Sequence, residues 1–262
     1  MAAHSTVSHY FSGQGVVLLA EKHATTGNPL GFTHVGNVSA LSLAISVSKF
    51  EHRESTTGAR GVDLALNNET NVEVNATFES IVQPNLALTV FGTSTDVSAS
   101  SVASGSYTAK LGKVLDLGYL KVSNVVVKDS GDTITYVLGD NYNLNADAGS
   151  LYIYTAAEQT TASAANSIAE DDGLLISFDY AAQKVLDALT TAAPERWLRF
   201  EGLNTAKSNE PVIVNVFRFG LSPLEELALI NEEISQMGVT GNALSDETRS
   251  SGSKYFNILS IQ

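Results

Sequence analysis

Residues 38–63 read VSALSLAISVSKFEHRESTTGARGVD. Leu41, Leu43, Ile45 and Val47 alternate with Ser42, Ser46 and Ser48, the period of two that gives a strand one apolar and one polar face. The alternation then runs into Lys49-Phe50-Glu51-His52-Arg53-Glu54, and that cluster into Ser55-Thr56-Thr57-Gly58, a loop with no apolar anchor. By pattern alone this is a strand that ends in a solvated loop. Mixed charges packed so closely at a strand end also suit a surface that recognises a neighbour in one register.

Alternation dominates elsewhere too. Val72, Val74, Ala76 and Phe78 interleave with Glu73, Asn75, Thr77 and Glu79, a half-buried strand with a polar face. Val16 to Leu19 reads as a short strand led in by Gly13 and Gly15 and ended by a turn at Gly27-Asn28-Pro29. Residues 211–219 are apolar on both faces, as in a strand covered on each side, and residues 197–200 read as another. A helix is expected from Ser222-Pro223-Leu224-Glu225, where a serine N-cap, proline and glutamate form a capping box. Leu224, Leu227, Ala228 and Ile230 or Ile234 supply its apolar stripe, with Glu225, Glu226, Glu232 and Glu233 towards water. Residues 84–92 fit a short helix or a strand, and Pro at the start with Gly at the end favours helix.

Between residues 93 and 184 the composition shifts. Residues 93–106 are rich in Ser, Thr, Ala and Gly and read as a linker. Short strands are expected at 122–127, 133–138, 150–154 and 174–180, spaced by turns as in a small sandwich or barrel. The chain is therefore expected to be mainly β, with a discontinuous domain at 1–92 and 185–262 and an inserted β module at 93–184. The insert resembles small Ig-like modules over residues 125–142.

Apolar residues at 44% and charged ones at 16% are enough for a core and too few charges for a disordered chain. With 15 Lys and Arg against 28 Asp and Glu, the net charge is −13. Gripping phosphates needs the opposite sign, so direct nucleic-acid binding is not expected, whereas letting DNA slide past without sticking fits an acidic protein. Cysteine is absent, which removes disulfides and thiolate chemistry. Met1 to Thr6 lacks the basic start and apolar stretch of a secretory signal. No apolar run approaches the ~20 residues of a membrane span, so a soluble, cytosolic product is expected. The sequons at Asn37, Asn68 and Asn75 then read as accidental.

No reaction can be assigned. His4, His9, His23, His34 and His52 show no ligand spacing on one helix face, and exposed or turn histidines are the commoner reading. Neither a nucleophile elbow nor a phosphate-binding loop occurs. A glycosidase carboxylate pair would want aromatic platforms that are missing. Glu170-Asp171-Asp172-Gly173 lacks the spaced pattern of a calcium loop and reads as an acidic turn. Neither an enzyme nor a resident cofactor or metal is expected.

Five segments, in order, resemble the major tail tube proteins of long-tailed bacteriophages. They are Tyr10-Phe11-Ser12-Gly13-Gln14-Gly15 with the strand after it; residues 35–41 with the charge cluster that follows; residues 84–92; Pro194-Glu195-Arg196-Trp197-Leu198 through Ala206; and Gly252-Ser253-Lys254-Tyr255-Phe256-Asn257-Ile258. The resemblance implies a β-sandwich with a flanking helix, whose subunits join as hexameric rings stacked into a tube. It implies assembly in the bacterial host cytoplasm into a virion tail, with tape-measure, tail-terminator and baseplate-end proteins as partners. Genomic DNA would pass through the lumen unbound during ejection. Glu51, Arg53, Glu54 and Arg60 would be subunit or ring contacts. Ser42, Ser46, Glu73 and Glu79 would be lumen-wall candidates, where acid side chains keep DNA from adhering. The rival readings are a virion surface or cement protein and a secretion tube of the contractile-injection kind.

Overall fold

The computed structural model describes residues 10–56 and 58–261. The expectations for Met1 to Thr6, for His4 and His9, and for Thr57 lie outside those residues. The chain is mainly β and divides into two units, one running to Ser94 and resuming at Leu186, the other Thr95–Val185. In chain order the first unit opens with β1 (Gly13–Lys22), β2 (Pro29–His34), β3 (Val38–Arg53), β4 (Val62–Phe78) and α1 (Gln83–Thr89). β5 (Thr93–Val97) leads into β6 (Ser100–Thr108), β7 (Val114–Asp116), β8 (Ser123–Asp129), β9 (Thr135–Tyr136), β10 (Tyr142–Asn145), β11 (Ser150–Ile153), α2 (Ala156–Thr161) and β12 (Gly173–Tyr180). β13 (Gln183–Asp187) pairs with β5, and the first unit resumes with β14 (Glu195–Asn204), β15 (Glu210–Leu221), β16 (Met237–Ala243) and β17 (Phe256–Ser260).

The first unit is built on an antiparallel sheet in the order β2-β1-β14-β15-β16-β4-β3, with β17 also paired to β15. β16 takes β15 at Phe219 to Leu221, and β17 takes it at Val212 to Val216. One face carries the core, including Val17, Val74, Phe78, Leu198, Val216 and Met237. The double-sided apolar pattern of β15 has a local cause. Arg196 pairs with Phe219 and Leu198 with Val216, so two residues of β15 oppose Trp197 alone. This bulge lets Val216 and Phe219 both reach the core. Phe217 turns to the other face, against the Trp197 ring (5.1 Å between centroids) and under the Arg249 guanidinium at 3.6 Å. Trp197 Nε1 donates to the Gly27 carbonyl at 2.7 Å.

Gly13 and Gly15 are strand residues, not a lead-in. Gly15 lies opposite Gly202, and a Cβ on it would sit 2.2 Å from the Glu201 carbonyl oxygen. Residues 84–92 do hold a helix: α1 has proline in its first turn and is closed by the Gly92 amide donating to Ala87 at 2.8 Å.

The helix expected after Ser222 does not form. Residues 222–236 are an irregular connection between β15 and β16, and the Leu224 amide, which the cap would have used, donates to the Thr89 carbonyl at 2.9 Å. Ile230 is 98% and Ile234 81% exposed. A short helix is marginal in water unless its apolar stripe is packed, and nothing among the described residues packs these two.

In the second unit, sheets β6-β12-β8-β9 and β10-β11-β7 share a core that includes Tyr136, Leu151, Ile153, Ile168, Ile176 and Phe178. The stretch read as a linker is in fact β5 and β6. β6 pairs along β12 from Thr108 opposite Gly173 to Ser100 opposite Tyr180. Its Ser, Ala and Gly content hid a strand anchored by only Val102 and Tyr107. α2 begins in a capping box in which Thr155 and Glu158 bond reciprocally. Its Gln159, fully buried, donates to the Tyr154 and Ile168 carbonyls and accepts from the Ile168 amide and Asn141. No helix of the described residues is long and apolar enough to cross a membrane.

Candidate assembly surface

β3 and β4 stay paired over their whole length, Val38 opposite Phe78 to Arg53 opposite Val62. The charge cluster therefore lies inside a strand, up to Arg53, and not after one. The pair enters the core only at its base. No described residue from Ala44 to Asn71 is buried, so these residues form a two-stranded arm.

Directly opposed residues in an antiparallel pair share a face. Leu41 with Ala76 and Leu43 with Val74 lie on the core side, and Ile45 with Val72 and Val47 with Thr70 continue it outwards. Ile45 is nevertheless 61% exposed, because the sheet beneath it has ended. The opposite face carries Ser42 with Asn75, Ala44 with Glu73 and Ser46 with Asn71. Ser42, Ser46 and Glu73 are thus brought together on one polar face. Glu79 lies past the end of β4, where it accepts from Asn37 Nδ2 and from Gln236 Nε2.

A bulge at Asn68 changes the phase: Ser48 pairs with Glu69 but Lys49 with Asn67. Beyond it, Phe50 with Leu66 and His52 with Leu64 fall on the Ser42 side, while Lys49, Glu51 and Arg53 fall on the Leu43 side. Phe50 and Leu66 are each about half exposed. The arm is consequently apolar on both faces in different places, which sequence reasoning missed. The alternation of Val62, Leu64 and Leu66 was the available signal.

The far end gathers the four contact candidates. Arg53 reaches Glu51 at 3.6 Å and the Arg60 carbonyl at 3.4 Å. The Glu54 carboxylate accepts from the Thr56 amide at 2.7 Å and its hydroxyl at 2.9 Å, and the Glu54 amide donates to Gly61. His52 Nδ1 and Asp63 Oδ1 are 2.6 Å apart. Arg60 holds a positive φ of 51°, so the tip is a shaped turn. Lys49 and Arg60 meet no carboxylate at ion-pair distance among the described residues.

Other chemistry-bearing groups are spent on local structure. His23 Nδ1 accepts from the Thr25 and Thr26 amides, and His34 Nδ1 from Gly36. The acidic turn holds Lys110 through Glu170 and Asp171, and Glu170, bonded first by the Leu111 amide, sits below the usual carboxylate range. Among the described residues no three His, Cys, Asp or Glu side chains converge as a metal set.

No curated protein matches the chain. A family model matches it over residues 10–259, nearly its whole length. The chain belongs to the family described as protein of unknown function UCP028589.

Proposed function

We propose that the chain is a structural subunit that assembles with copies of itself, and that the assembly is the tail tube of a long-tailed bacteriophage. The observation that carries the reading is the arm formed by residues 44–71. None of its described residues is buried, yet it exposes Ile45, Val47, Phe50, Leu64 and Leu66. An isolated two-stranded ribbon is marginal in water, and β3 leaves one edge of its backbone unpaired at the end of the sheet. Copies that add strands to one another would cover both liabilities. Contacts between different patches of identical subunits close into rings and stack into filaments.

On this reading Glu51, Arg53, Glu54 and Arg60 are contact residues, the Ser42, Ser46 and Glu73 face looks into the lumen, and DNA passes without being held. Tape-measure, terminator and baseplate-end proteins are the further partners. Negative-stain electron microscopy of the purified protein at low and high concentration tests the reading. Stacked rings with a central hole are expected, and they should vanish when residues 46–71 are replaced by an Asn-Gly turn joining Ile45 to its partner Val72. Monomers at every concentration, or tubes from the shortened arm, would overturn it.

A further inference from the structure

The connection 222–236 and the arm end of the sheet leave complementary needs unmet. Wound as a helix, residues 222–236 place Leu227, Ile230 and Ile234 at i, i+3 and i+7 on one side. Glu226 and Glu233 flank that stripe and Glu225 and Glu232 stand opposite it, and none of the four has an ion-pair partner among the described residues. The sequence caps this helix, and only a surface to pack against is missing.

Such a surface exists on the same unit. A groove of about 740 Å³ runs between β1, β14, β15 and the base of β3, lined by Val17, Leu41, Leu43, Phe200 and Val214. Ile258 pairs with Val214, which pairs with Phe200, which pairs with Val17, so Ile258 continues the lining on β17. Ile45 and Val47 continue it on β3. All three are exposed, Ile258 to 60%. Next on that side of β3 stands Lys49, a cation without a carboxylate partner among the described residues.

Register keeps the two features apart in one copy. The connection leaves β15 after Leu221, whereas Ile258 faces Val214, roughly 24 Å back along the strand at about 3.4 Å per residue. β16 overhangs β15 from Thr240 to Met237, towards the level of Val38, so a helix spanning the connection would run further from the Ile45–Val47 end of the groove. Two copies arranged head to tail bring them together.

We infer that residues 222–236 of one copy fold as a helix into the Ile45–Val47–Ile258 end of the groove of a second copy, with their glutamates beside Lys49. The inference rests on the self-assembly reading and specifies its contact. Acidic and apolar chemistry on the connection matches an apolar groove ending in a free lysine, and joining unlike patches head to tail propagates a ring or filament.

The absence of cysteine allows a clean test. Ile230→Cys and Val47→Cys proteins are prepared separately, mixed where the unmodified protein associates by sedimentation, and oxidised. A between-chain disulfide is expected in the mixture, several-fold above that formed when Val47→Cys meets Leu189→Cys, a control site that is also largely exposed. Lys49→Glu in the Val47→Cys chain should lower the yield, and Glu226→Lys with Glu233→Lys in its partner should restore it. Association without the specific disulfide would overturn the inference and leave self-assembly standing. Sedimentation as a monomer throughout would sink both. A within-chain disulfide in the doubly substituted protein would show the helix docking at home and overturn the contact between copies.

Discussion

Lys22 Nζ lies 2.7 Å from Asp246 Oδ1, joining β1 to the segment that follows β16. Only 1% of the Asp246 side chain and 16% of Lys22 reach solvent. The second carboxylate oxygen, Oδ2, is buried with no hydrogen-bond partner among the described residues. Removing one member of such a pair leaves the other charge desolvated and uncompensated. Lys22→Met should therefore destabilise the first unit by about 3 kcal/mol. Urea unfolding followed by the emission of Trp197, the chain's one tryptophan, would read this directly. A change under about 0.5 kcal/mol, the size of an ordinary surface pair, would refute it.

The same region sets an acid limit. Glu195 is held below the usual carboxylate range by hydrogen bonds from Arg218, at 2.7 Å to each oxygen. Burial pushes Asp246 up, but the bonds from Lys22 and Thr248 outweigh it and the net shift is downward. A carboxylate with a depressed folded pKa contributes stability that is full above its unfolded pKa of about 4 and is lost as pH falls through the folded value. The melting temperature should be flat from neutral pH to about 5 and fall below about 4. Asp246→Asn should soften that fall while lowering stability at pH 7, and an unchanged acid limb in this variant would contradict the assignment.

In the second unit the buried amide of Gln159 serves Tyr154, Ile168 and Asn141 at once. Gln159→Leu keeps the volume but orphans the Ile168 amide and carbonyl, for a cost of about 3 kcal/mol. Hydrogen exchange should show faster exchange at Ile168 and across β11, with the first unit's amides unaffected. Equal protection in the variant would mean that solvent already serves these groups.

Long-period alternation was legible in the sequence, and the places where it failed have physical causes. Val72 to Phe78 could be read because one face is buried along its whole run. β6 could not, since its partner strand and not its own side chains holds it, and Ser, Ala and Gly carry no alternation to see. The charge cluster looks like the end of a strand because local chemistry there is polar, while the pairing that keeps it in the strand to Arg53 comes from residues 62–67 across a turn. The capping signal at Ser222 is a local one, and the helix it predicts does not form. A helix also needs its stripe packed, and Ile230 and Ile234 stand exposed. Of the candidate site, Glu51, Arg53, Glu54 and Arg60 do gather, whereas Phe50, Leu64 and Leu66 needed the Asn68 bulge to be seen as one patch.

Replacing residues 95–185 with a short flexible linker should leave the first unit folded, because its core draws on no residue of that stretch. Far-UV circular dichroism should keep its β signature, and Trp197 emission should unfold in one transition. Loss of both would place the insert within the folding unit.

Charge reversal at the tip of the arm tests the assembly reading with the least disturbance of the fold. Glu51 and Glu54 are partners of Arg53 and Thr56 on an exposed turn, and exposed pairs of this kind contribute at most about 1 kcal/mol. Glu51→Lys with Glu54→Lys should therefore leave the unfolding midpoint of the monomer almost unchanged. If the tip meets a neighbour, the two reversals place like charges against a surface matched to the original signs, which costs far more between copies than within one. Tube yield and length by electron microscopy should both drop, and more steeply at low salt, where screening is weaker. Tubes of unchanged length and yield from a folded double variant would take Glu51 and Glu54 out of the contact and leave the apolar faces of the arm as its remaining candidates.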